Sequence, residues 1–120
     1  MKLSTAALAL SALFGTAAFA HHSYAMFDRS NEVTVTGTVT KWVWANPHTT
    51  LVLMVPGQQG EVEWTFEGGG PQTLRNKGWN RDAVAVGQKV TVHMYPLKDG
   101  SNGGQMVGVD TPDGQQYRGG

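Results

Sequence analysis

The sequence predicts a small all-β domain, and three observations carry that prediction. It has 16 glycines in 120 residues, with 40% hydrophobic and 15% charged residues. That is too apolar for a disordered chain and too broken by glycine for a helical bundle. Runs of β-branched and aromatic residues alternate apolar with polar at a period of two, as half-buried strands do. Turn residues separate the runs, at Asn46-Pro47, Pro56-Gly57, Gly68-Gly69-Gly70 and Asp99-Gly100.

The amino terminus reads as an export signal, residues 1–20. Met1 and Lys2 give a short positive start, Leu3 to Ala18 is an apolar run rich in Ala and Leu, and Ala18-Phe19-Ala20 matches a small-x-small cleavage site. The run is too short and Ala-rich for a membrane span of about 20 residues, and no second apolar segment follows. The expected mature chain starts at His21, with residues 21–31 as a linking extension and 32–120 as one barrel domain, in the periplasm or secreted. Without cysteine, a disulfide framework, a thiol nucleophile, thiolate zinc and iron–sulfur ligation are excluded. Nine basic and nine acidic residues become a net charge of about −1 once Lys2 is lost, so no strong field draws nucleic acid or an anionic membrane.

The first strand is expected over Glu32–Trp44. There Val33, Val35, Gly37, Val39, Lys41 and Val43 alternate with Thr34, Thr36, Thr38, Thr40, Trp42 and Trp44. Gly37, set among β-branched residues, marks a bulge or bend that turns a barrel corner. Asn46-Pro47-His48 breaks the strand, because proline donates no ladder hydrogen bond and restricts the residue before it. The second strand is Thr50–Val55, ended by Pro56-Gly57, and the third is Glu61–Glu67, with Val62, Trp64 and Phe66 alternating with Glu61, Glu63, Thr65 and Glu67. After the glycine run, Pro71–Lys77 makes about two helical turns, with proline at the first position and Gly78 beyond the last. The fourth strand is Lys89–Tyr95 and the fifth Gln105–Thr111. This β-β-β-α-β-β order, with a long bent first strand, predicts an OB-like, partly open barrel of about five strands with one short helix between strands three and four. A β-sandwich is the alternative arrangement.

The punctuation between the strands carries a resemblance. His21-His22-Ser23-Tyr24-Ala25-Met26-Phe27-Asp28, then Val33 to Val39, Asn46-Pro47-His48, Gly78-Trp79 and Lys98-Asp99-Gly100-Ser101 together resemble the small exported bacterial proteins grouped as domain-of-unknown-function family 6152. The resemblance covers essentially the whole mature chain. It implies an exported small β-domain and carries over no catalytic residue. His93 departs from it, standing where that pattern has a small or polar residue.

Cleavage after Ala20 places a free amine and an imidazole on His21, the bidentate end of a histidine brace. A third nitrogen completes a planar site suited to copper(II), which tops the first-row divalent series for nitrogen donors. His48 is the candidate third ligand, since it follows a proline in a loop that can aim its ring. His22 offers a second mode with the amine and an amide nitrogen, whereas Ser23 removes the third-position histidine motif. The amine, with a pKa of about 7.7–8.0, gives up its proton to copper(II) at neutral pH.

Trp42 and Trp44 are candidate ligand-binding residues, as stacking platforms of the kind OB-folds carry on their faces. If Gly37 hosts a bulge that swaps faces they belong to the core, and packing in the core or barrel mouth is the commoner role for such residues. Trp79 reads as a lid on the barrel end. The methionines can bind copper(I) but show no clustered spacing, and Met54 and Met94 read as core fillers. Glu61, Glu63 and Glu67 read as a solvated face. Ser23, Ser30 and Ser101 lack an elbow motif, and no phosphate loop or dinucleotide fingerprint occurs. The expected function is therefore an exported binding module for a transition metal such as copper, or for a small ligand or protein partner. The alternative is a copper-dependent oxidase built on the same histidine brace.

Overall fold

The structure is a computed structural model that describes residues 24–120. The expected signal segment and the candidate ligands His21 and His22 lie outside the described residues. Six strands and one helix follow a single 3₁₀ turn at Tyr24–Met26: β1 Val33–Val43, β2 Thr50–Gly57, β3 Gly60–Glu67, α1 Pro71–Arg75, β4 Lys89–Pro96, β5 Gly103–Asp110 and β6 Gln116–Arg118. Among the described residues no helix is long and apolar enough to cross a membrane.

β1 is shared between the two halves of the sheet. Its first part pairs antiparallel with β4, from Val33 opposite Met94 to Thr38 opposite Lys89. Its second part pairs with β2, from Thr38 opposite Met54 to Val43 opposite Thr50. β2 and β3 form a hairpin, and β4 and β5 pair antiparallel. β3 then meets β5 in parallel, with Thr65, Phe66 and Glu67 opposite Gly103, Gly104 and Gln105. That pairing closes the five strands into a barrel, as the strand order predicted, and the sandwich alternative lacks it.

Two details of β1 differ from the sequence expectation. Gly37 stays in regular register opposite Val90, and the register shift falls downstream, between Val39 and Lys41. Gly37 is required by close approach instead: a Cβ there would stand 2.5 Å from the Met54 carbonyl oxygen and 2.9 Å from Val55 Cγ2. The shift after Val39 reverses the alternation, because one extra residue turns the following side chains to the other face. Trp44 thereby enters the core with Val39, Leu51, Leu53, Phe66, Val90, Val92, Met94, Met106 and Val109.

Leu74 of α1 and Trp79, Ala83 and Val84 beyond it join the same core. The helix ends at Arg75, earlier than the expected Lys77, and the chain continues through hydrogen-bonded turns to the Trp79 amide, which donates to Leu74 O. Trp79 is buried, and its indole N–H donates to the Arg118 carbonyl at 2.8 Å. The sequence reading omitted β6, which pairs with the end of β5 opposite Gly108–Asp110.

The segment read as a linking extension is docked from Tyr24 onward. Phe27 is buried and bridges to Leu97. The Lys98 amide donates to Met26 O at 2.9 Å, and the Asp28 amide donates to Pro96 O at 2.8 Å. The Arg29 guanidinium lies over the Tyr24 ring at 5.1 Å and the Tyr95 ring at 5.7 Å. One buried aromatic and two backbone hydrogen bonds thus fix the segment around Met26–Asp28 against the barrel.

Candidate functional site

The loop between β1 and β2 carries His48 between Pro47 and Thr49, and the Asn46-Pro47 peptide is cis. Thr49 is fully buried and anchors the loop. Its amide and its hydroxyl both donate to Gly69 O, at 3.1 and 2.9 Å, and Gly68 N donates to Thr49 O at 2.9 Å. Gly68 allows this contact, since a Cβ there would lie 2.5 Å from both Thr49 Oγ1 and the Met106 methyl. The first glycines of Gly68-Gly69-Gly70 therefore clamp the loop on which His48 stands.

Glu67, the last residue of β3, lies opposite Thr50 in the hairpin register. This brings its Oε1 to 3.4 Å from His48 Nε2, with the His48 side chain 48% and the Glu67 side chain 26% exposed. The sequence reading set Glu67 with Glu61 and Glu63 on one solvated face. The structure separates them: Glu61 and Glu63 are exposed, whereas Glu67 is half-buried beside the histidine. The available signal was the Asn46-Pro47-His48 break facing Gly68-Gly69-Gly70 across a hairpin, which becomes readable once the pairing register is known.

His48 and Glu67 line two adjoining clefts. The larger, about 870 Å³, runs between the docked amino-terminal arm (Tyr24, Phe27, Arg29) and Gly68–Gly70, with Tyr95 and Gln105 also on its wall. The Gln105 side-chain oxygen is buried and has no hydrogen-bond partner among the described residues. The smaller cleft, about 400 Å³, lies against β2, β3 and β5, where Met26, Phe27, Phe66 and Leu97 meet His48 and Glu67. Among the described residues no three His, Asp or Glu side chains are grouped to hold a metal ion.

The remaining sequence candidates lie elsewhere. Trp44 is 8% exposed under the Arg75 guanidinium, 5.6 Å from its ring. Trp42 is half-buried, stacks on Trp79 at 6.4 Å and donates its indole N–H to Arg81 O at 2.9 Å. Neither ring lines the His48 clefts. His93, on the outer face of β4, meets Asp110 Oδ2 at 2.8 Å and Glu32 Oε1 at 3.6 Å, and Arg118 Nη2 meets Asp110 Oδ1 at 2.8 Å. The hydrogen bond to His93, with Arg118 adding to it, holds the Asp110 carboxyl below its ordinary value despite partial desolvation. This network ties β6 and the start of β1 to β4 and β5.

Comparison with known proteins adds one match, to the model of a family described as a family of unknown function (DUF6152), over residues 9–106. No curated protein and no solved structure matches the chain.

Proposed function

Because this chain belongs to the DUF6152 family of unknown function, whose description assigns no chemistry, we propose a function from its own residues: an exported small binding module that takes copper(II) at its mature amino terminus. The donors are the amine and imidazole of His21 with His48 as third ligand, and His22 supplies a second mode. One observation carries the reading. Tyr24, pinned by Arg29, lines the same cleft as His48, and the tripeptide from His21 to Ser23 spans roughly 10 Å when extended. An arm docked from Tyr24 onward lowers the ordering cost of closing a site from two distant parts of the chain.

The chemistry favours copper(II) among common ions. A set of amine and imidazole nitrogens with no thiolate suits the top of the first-row series. Glu67 beside His48 Nε2 supplies the outer carboxylate that commonly orients a ligating histidine. Protein recovered from the periplasm and sequenced from its amino terminus should begin at His21 and bind about one copper per chain. A retained Met1, or no copper after loading, contradicts the proposal. Loaded protein given reductant and oxygen should show no turnover; sustained oxygen consumption would turn the reading to the oxidase.

A further inference from the structure

We infer that Met26 and His48 form a copper(I) site in the smaller cleft, with Glu67 as the positioning residue for the histidine. The inference rests on the copper reading above for its metal and shares His48 with it, but it uses neither the terminal amine nor His21.

The methionines divide sharply by environment. Met94 and Met106 are 1% and 0% exposed in the core, and Met54 is half-buried on β2. Met26 alone of the described methionines is 39% exposed, and it lines the same cleft as His48 and Glu67. That exposure does not come from a loose tail. Its carbonyl accepts the Lys98 amide, and the next residue, Phe27, is buried and bridged to Leu97. The fold thus holds Met26 by its backbone as a lining residue of a cleft walled by Phe27, Phe66 and Leu97.

Ligand softness names the ion. Thioether sulfur with imidazole nitrogen suits copper(I), whereas magnesium, calcium and manganese call for oxygen donors. The sequence has no cysteine, so a thioether is the soft donor this chain can offer. Nε2 faces the Glu67 carboxylate at 3.4 Å, so the site uses the other ring nitrogen, Nδ1, as donor to the metal, with Glu67 as the outer carboxylate partner of the ring.

The test is an anaerobic titration of the mature protein with copper(I) against a chromophoric chelator, run beside a copper(II) titration. Met26→Leu should weaken copper(I) binding at least about tenfold and leave copper(II) binding unchanged. In the His22→Ala background, where no third-position histidine can form, one extra residue before His21 should do the reverse, so the two readings fail separately. In wild-type protein with ¹³C-labelled methionine methyls, copper(I) should move the Met26 signal and leave Met54, Met94 and Met106 in place. Glu67→Gln should weaken copper(I) by about 10–100-fold and change the ring ¹⁵N shifts of His48, with an unaltered melting temperature. An unmoved Met26 methyl, or full copper(I) affinity in Met26→Leu, overturns the site. Unchanged His48 ring shifts in Glu67→Gln overturn the positioning role.

Discussion

His48 Nε2 stands 3.4 Å from Glu67 Oε1 because two backbone constraints converge on the pair. The hairpin register sets Thr50 opposite Glu67, and the buried Thr49 locks the preceding loop to Gly68 and Gly69. The backbone brings the two residues together, and the Glu67 carboxylate is then the neighbour that faces the His48 ring.

Thr49→Val removes the hydroxyl while keeping side-chain volume, and it tests the clamp. Gly69 O keeps the Thr49 amide as a donor, so the cost should be that of one modest hydrogen bond, about 1 kcal/mol. A urea midpoint lowered accordingly, with an unchanged slope, supports the clamp. An unchanged midpoint shows that the hydroxyl contributes nothing.

Gly37→Ala and Gly37→Val should both destabilise the barrel. A single Cβ already lands 2.5 Å from the Met54 carbonyl oxygen, so β1 must shift from β2, at about 1–3 kcal/mol, with valine the worse. Thermal unfolding checks this; alanine as stable as glycine would show that the strands separate freely at this crossing.

The Asp110 carboxyl, held down first by its hydrogen bond to His93 and then by Arg118, gives a pH dependence with a definite sign. A depressed native pKa contributes stability that is present above the unfolded value and lost as pH falls through the native one. Wild type should therefore exceed Asp110→Asn in stability at pH 6. The gap should narrow as pH drops from about 5 past the ordinary value of 3.8. Denaturant midpoints measured down the pH range check it, and a constant gap would assign the contribution to something other than this ionisation.

Much of the barrel was legible because its strands obey a period of two and its breaks are proline and glycine. Thr50–Val55 and Glu61–Glu67 fall inside β2 and β3, and the predicted barrel is the one that the parallel contact of β3 with β5 closes. What local pattern could not supply was register. The shift after Val39 that turns Trp44 inward, and the pairing that sets Glu67 beside His48, depend on which residue faces which across the sheet. β6 was hidden by its three-residue length, although Asp113-Gly114 before it is a hairpin signal. The docking of Tyr24–Asn31 left no periodic trace, since one buried phenylalanine and two backbone hydrogen bonds carry it.

The most direct measurement of the central claim is the copper(II) affinity of the His22→Ala protein, processed to begin at His21, against the same variant with one extra residue before His21. The extension keeps His21 and His48 but moves the free amine away from His21, and His22→Ala removes the third-position histidine that the extension would otherwise create. The account predicts firm binding by the unextended protein, at least about tenfold weaker binding by the extended one, and a comparable loss when His48→Ala is added to the unextended protein. Equal affinity with and without the extension, or an affinity indifferent to His48→Ala, would contradict it.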